Sequence, residues 1–366
     1  MNPLTQLDSL EIRVLINDQL DNIAPSWHPE VHAPGRFAHI RLAELDETAA
    51  KARGDAKLEL RLPNSCCGAH GLSLMITATA GDVQHTLLFD AGPEGEIWEK
   101  NVERLGLVNE ISKIEVIHLS HWHRDHSGVY HSYFSVSQRL TFHQGGLRRA
   151  IEMINKAKSK STSPTNVTMD LHPNRPFYRG MVTPAGPISL EADPTFTELE
   201  AAGATVTKNA QGHNILDDMF FVSGQIPRTT LYETGISGGI RLDDSDAGWQ
   251  ADPLILDERF VMCNLRGKGL VVFTGCSHAG VVNVSRHAVE VGGGVPLYAV
   301  AGGFHLSDAQ LDKVQETTND LAKLDPKVLM PGHCSGWRVQ VEAERIMPGR
   351  VVPIYAGQKY GLSALL

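Results

Sequence analysis

The sequence predicts an α/β fold built as a helix–sheet–sheet–helix (αββα) sandwich. Apolar, β-branched runs of strand length occur in both halves of the chain, and segments with helical spacing lie between them. At 366 residues with 42% hydrophobic side chains, the chain is long and apolar enough to bury a sizeable layered core.

Taken in order, Glu11 to Asp18 (EIRVLIND) reads as a strand, and Pro25 to Ala56 has no clear period and reads as an insertion or mobile loop. Leu72 to Ala80 and Val83 to Asp90 form a hairpin around Gly81-Asp82. The second run stops at Asp90-Ala91-Gly92, where a carboxylate at a strand end marks the edge of a site. Glu94 to Leu107 is a helix, and Ile114 to Leu119 is a buried strand running directly into SHWHRDHSG. From about 145 to 215 the chain turns polar around the helix LRRAIEMINKAKSK and reads as a capping or linking segment between an N-terminal half (about 10 to 144) and a C-terminal half (about 216 to 366) of one domain. Strands are expected at Phe220 to Gln225, Arg259 to Asn264, Gly269 to Gly275, Pro296 to Ala301, Lys327 to Met330 and Val351 to Tyr355. The helices expected among them are Val281 to Val291, Asp308 to Leu324 and Trp337 to Met347.

Charge and cysteine usage narrow the function. Lys plus Arg number 33 against 42 Asp plus Glu, a net charge of −9 with no basic run, which disfavours a nucleic-acid or membrane-surface partner. The N-terminus has no secretory pattern and no apolar run reaches bilayer length, so a soluble, cytoplasmic protein is expected. Five cysteines, two of them adjacent (Cys66 and Cys67), do not make a disulfide framework and fit a reducing compartment.

Histidine carries the chemistry. Of 17 histidines, His118, His121, His123 and His126 fall close together, the last three within an H-x-H-x-D-H pattern that includes Asp125. Alternate positions of an extended or turning backbone point to one side, so His121 and His123 can hold one metal while Asp125 and His126 turn to a neighbouring one. Imidazole and carboxylate donors suit Zn2+ first, with Mn2+ or Fe2+ as alternatives. His118 lies inside the strand and reads as a structural or supporting residue.

Leu119 to Gly128 (LSHWHRDHSG) resembles the signature of the metallo-β-lactamase-fold superfamily. Within it the chain resembles the dihydropterin-6-ylmethyl-(ribofuranosyl)aminobenzene 5′-phosphate synthase group, on His70-Gly71-Leu72-Ser73, Leu88-Phe89-Asp90-Ala91-Gly92, Gly275-Cys276-Ser277-His278-Ala279-Gly280 with Asn283, Gly302-Gly303-Phe304-His305-Leu306 and Gly332-His333-Cys334. The resemblance implies two divalent metal ions, one held by His121, His123 and His278 and the other by Asp125, His126 and His333; Asp90 reads as orienting a ligand histidine rather than binding metal directly. The chain departs from the wider superfamily at Thr274-Gly275-Cys276, where a thiol stands in place of a bridging carboxylate. Cys276 is either a thiolate ligand or a small buried residue.

Substrate contacts are expected among His305, Arg228, Glu233, His172 and His70, with a buried ion pair as the structural alternative for Arg228 and Glu233 and a capping contact for His305. The leading function is a metallo-hydrolase that uses a metal-bound hydroxide on a small, anionic ester, lactone or phosphoester, with Asp125 in the catalytic role. A pterin-related synthase or transferase with a pyrophosphate leaving group is the second reading, and a non-catalytic, metal-stabilised ligand-binding protein the third. A diiron redox protein would need an electron donor, and no flavin-binding or second redox domain is visible. The sequence leaves the oligomeric state and the substrate's identity open.

Overall fold

The computed structural model describes residues 3–128, 145–160, 165–243 and 246–364. Two large sheets lie face to face. The first runs, from edge to edge, through Thr205–Lys208, Thr168–Leu171, Ile114–His118, Val83–Phe89, Ser73–Ala80, Ser9–Ile16, Lys359–Ser363 and Val31–His32. The second runs through His213–Ile215, Phe220–Val222, Val261–Leu265, Gly269–Thr274, Leu297–Gly303 and Val328–Gly332, with Gln6–Leu7 added beside Val261–Leu265.

The alternation of side chains explains why these strands form layers. Leu87 and Phe89 face the inter-sheet core with Val271, Phe273, Ala299, Ala301 and Met330, all buried. Their neighbours Leu88 and Ile117 point the other way, onto Trp98 and Val102 of helix Gly95–Arg104 and Ile151 of helix Gly146–Lys158. On the far side, Val272, Val300 and Leu329 meet Val282, Val314, Leu321 and Val339 from helices Val281–Val291, Leu311–Lys323 and Trp337–Ile346. A period of two in each strand therefore serves two cores at once, which gives the αββα sandwich that the apolar runs predict.

Three local expectations change. Val351 to Tyr355 is not a strand: Pro353 cannot donate to a ladder, and Val351 makes a single bridge to Leu329. The strand that closes this part of the chain is Lys359–Ser363, antiparallel to Ser9–Ile16. The polar stretch after helix Gly146–Lys158 supplies two strands to the first sheet, Thr168–Leu171 and Thr205–Lys208, paired in parallel. The remainder, with Gly239–Leu242 and Gln250–Ala251, builds a small four-stranded sheet that includes Tyr178–Thr183 and Gly186–Ser189. The region expected as an insertion holds the paired strands Leu42–Glu44 and Leu58–Leu60 and the short helix Glu47–Ala52. No helix among the described residues is long and apolar enough to cross a membrane.

Candidate metal centre

The carboxyl ends of strands from both sheets meet at one edge of the sandwich. Val83–Phe89, Ile114–His118 and Ser9–Ile16 run the same way in the first sheet, and Gly269–Thr274, Leu297–Gly303 and Val328–Gly332 run parallel in the second. Asp90, Ser277, His305 and His333 follow those ends with positive φ angles of 57°, 59°, 48° and 47°. Four non-glycine residues held in the left-handed region at one edge represent strain concentrated where the chain must turn sharply toward a site. Gly275 is needed for close approach, because a Cβ there would lie 2.3 Å from Ser120 Oγ.

Three ring nitrogens converge at this edge. His121 Nε2 lies 3.0 Å from His123 Nδ1, and His278 Nε2 lies 3.1 Å from each of them. A second set adjoins it: Asp125 Oδ2 is 3.1 Å from His333 Nε2 and 3.7 Å from His126 Nε2. Cys276 Sγ is 3.1 Å from His126 Nε2 and 3.3 Å from His333 Nε2. The same sulfur also groups with His121 and His278, all three donor atoms lying within 4.8 Å of one another, so it stands at the corner the two sets share. Asp125, His126, Cys276 and His333 likewise group within that distance.

Hydrogen bonds behind the rings fix which nitrogen faces inward. Ser120 Oγ donates to Asp90 Oδ2 at 2.8 Å, so it accepts from His121 Nδ1–H at 2.9 Å and leaves the Nε2 lone pair free. His126 Nδ1–H donates to Asp90 Oδ2 at 2.6 Å, and His333 Nδ1–H to Asp18 Oδ1 at 2.8 Å. The Nε2 lone pairs of His126 and His333 therefore face the Asp125 carboxylate and the Cys276 thiol, whose single S–H can satisfy only one of them, whereas a cation would engage all of these donor atoms. The donor set, imidazole with one carboxylate and one thiol, fits a divalent metal of zinc type.

For the first set the electrostatics agree in direction. Burial depresses the pKa of His121 and His278 well below the ordinary imidazole value and that of His123 to about 3, with neighbouring imidazoles pushing His121 and His278 the same way, so these three rings are neutral donors. Burial opposes ionisation of Asp125, but His126 and His333 outweigh it and hold the carboxyl well below its usual range.

The motif loop is pinned from outside. Trp122 N–H donates to Asp257 Oδ2 at 2.8 Å, and Arg179 reaches both the Trp122 carbonyl, at 2.7 Å, and Asp257. Glu258 accepts the N–H groups of His278 and Ala279 at 2.7 and 2.6 Å, and its burial raises its pKa to about 6. Asp18, Ser120, Asp257 and Glu258 escaped the sequence reading. The available signal was the one that found Asp90, a polar residue at or beside a strand end.

The remaining candidates separate. His70 sits at the mouth, 72% exposed, with Nδ1 2.7 Å from Asp18 Oδ2 and Nε2 3.8 Å from Asp125 Oδ2. His305 stacks edge-on against His278 with centroids 4.4 Å apart. Arg228 donates to the His278 carbonyl at 2.9 Å and to the Leu254 carbonyl. Glu233 takes the Val282 and Asn283 N–H groups at 2.9 Å each and so caps helix Val281–Val291. His172 accepts from Asn174 N–H at 3.1 Å and, through its carbonyl, the Trp122 indole N–H at 2.9 Å. His118 is fully buried and bonded to Asp170 at 2.8 Å. The structure thus brings together the six predicted ligands with Cys276, Asp90, His70 and His305, and engages Glu233 and His118 elsewhere.

Comparison with known proteins places the fold. The chain aligns over 96% of its length with 98% of a crystal structure described as a metal-dependent hydrolase of the beta-lactamase superfamily, at a TM-score of 0.61 and 19% identity. The fold is that of the metallo-β-lactamase superfamily. Over 303 residues, 77% of this chain and 89% of the relative, the sequence is 24% identical to the 7,8-dihydropterin-6-methyl-4-(beta-D-ribofuranosyl)-aminobenzene-5'-phosphate synthase of Methanocaldococcus jannaschii. An uncharacterized protein of the same organism is 26% identical over 286 residues, 76% of this chain and 88% of that one. No family model matches the chain. The motif residues lie at the edge of the metallo-β-lactamase sandwich where the ends of the central strands of both sheets converge.

Proposed function

We propose that the chain is a metal-dependent hydrolase of a small, anionic ester, lactone or phosphoester, acting at a dinuclear centre. The observation that carries this reading is the convergence of the His121, His123 and His278 ring nitrogens at 3.0–3.1 Å beside a second set around Asp125. His121, His123 and His278 would hold one divalent ion and Asp125, His126 and His333 the other. Two such ions, zinc on the donor chemistry, would supply Lewis-acid polarisation and activation of water near neutral pH. Asp125 would serve as a ligand of the second ion, and its carboxylate would accept the hydrogen bond that orients a water for attack. Asp90, Ser120 and Asp18 hold the rings of His126, His121 and His333 in the ligating tautomer. His70, exposed beside Asp125, is the histidine with room to meet a substrate. The positive potential of such a centre favours an anion, while the chain's −9 charge disfavours nucleic acid.

A second reading is favoured by the synthase relative, whose alignment spans most of both chains. On that reading the metal ions held by the same residues would clamp a pyrophosphate leaving group while a carbon–nitrogen or carbon–carbon bond forms.

Turnover of generic ester, lactone and phosphodiester substrates by the zinc-loaded protein tests the hydrolase reading. Activity is expected on at least one class, with Asp125→Asn lowering it at least about a hundredfold while the fold is kept. Normal turnover by a folded Asp125→Asn variant would contradict the mechanism, and no turnover of any class would leave the synthase reading ahead.

A further inference from the structure

We propose that Cys276, His305 and Cys334 form a separate site for a thiophilic divalent cation, joined to the histidine-rich centre through the Cys276 sulfur. The three residues follow three adjacent parallel strands, Gly269–Thr274, Leu297–Gly303 and Val328–Gly332, so sheet register sets them side by side. Their donor atoms lie within 4.8 Å of one another. Tetrahedral donors around zinc stand about 3.3–3.8 Å apart, given metal–donor bonds of about 2.0–2.3 Å, so shifts of about 1 Å or less close the set.

Each member is suited to this. Cys276 and Cys334 are free thiols at 2% and 7% exposure, and Cys334 Sγ is 3.6 Å from the Cys276 carbonyl oxygen, to which it donates. A Cβ on Gly303 would come within 2.7 Å of the Cys334 sulfur, so the glycine makes room for it. His305 Nδ1 is buried and has no hydrogen-bond partner, an uncommon cost for a ring nitrogen. Its backbone is held at a φ of 48°, which fixes the ring beside His278. Two sulfurs and one imidazole select Zn2+ or Cd2+ over Mg2+ or Ca2+. On binding, each thiol releases its proton to solvent and the sulfur lone pair is donated to the cation. A thiolate can bridge two cations, so this site is linked to the Asp125, His126 and His333 set while remaining chemically softer.

The test is titration of the chelator-treated full chain with Cd2+, read as ions per chain by native mass spectrometry and as the ultraviolet thiolate-to-cadmium charge-transfer band. The parent is expected to take up one more Cd2+ than either Cys334→Ser or His305→Asn, and Cys334→Ser to weaken the band without abolishing it, because Cys276 remains. Asparagine is chosen at 305 because it tolerates the left-handed backbone. If Cys334→Ser fails to fold, the comparison with His305→Asn decides alone. Equal Cd2+ counts and equal bands in the parent and the folded variants would overturn the proposal. The proposal does not depend on hydrolysis: absence of the histidine-rich centre would show as a parent holding a single Cd2+ that Cys334→Ser removes.

Discussion

His126 Nδ1 donates to Asp90 Oδ2 at 2.6 Å, and the same carboxylate receives both the N–H and the hydroxyl of Ser120, at 2.7 and 2.8 Å. One fully buried side chain thereby orients His126 directly and His121 through Ser120. Asp90→Asn keeps the size but loses the charge, and it is expected to weaken binding of at least one of two Zn2+ ions about 10–100-fold, the usual effect of losing such a partner. Calorimetric titration checks this, and unchanged affinity would mean that the rings are oriented by packing alone.

Asp18 couples the second ligand set to the mouth. Its Oδ1 accepts from His333 and from Gly71 N–H, and its Oδ2 from His70. Burial works against ionisation, but bonds to His333 and His70 hold its carboxyl well below the usual range. Asp18→Asn should cut Zn2+ affinity about tenfold or more. His70→Ala should leave metal content unchanged and act on KM or kcat. A loss of metal in His70→Ala would place that ring among the ligands.

A pH-dependent link ties the two sheets. His85, on Val83–Phe89, bonds Glu115 at 2.8 Å and, across the sandwich, Asp217 at 3.0 Å. Burial lowers its pKa, yet the two carboxylates outweigh that and raise it above 6.5. A group with a raised folded pKa contributes stability that is fully present below the unfolded value and is lost as pH rises through the folded one. His85→Gln should therefore cost under about 1 kcal/mol, after discounting for solvent screening, in mildly acidic buffer and less in alkaline buffer. Denaturant midpoints at the two pH values measure the difference; an equal cost at both would exclude the ion pair.

The sandwich was legible because its strands are short apolar runs with period two, and the six candidate ligands because four of them stand in one hexapeptide. Lys359–Ser363 was missed since KYGLS carries little apolar signal, and Val351 to Tyr355 attracted the assignment through its β-branched residues despite Pro353. Asp18 could not be paired with His333 from sequence: they are 315 positions apart, and only the meeting of two sheet edges joins them. Glu233 illustrates the converse, a carboxylate that looked like a contact residue and whose both oxygens are spent on a helix end.

The most direct measurement is the metal content of protein purified without chelator, in the parent and in His126→Ala and His333→Ala. Two sets of protein donors predict about two ions per chain in the parent, and one fewer in each variant as the set around Asp125 is broken. A single ion in the parent, retained unchanged by both variants, would contradict the dinuclear account.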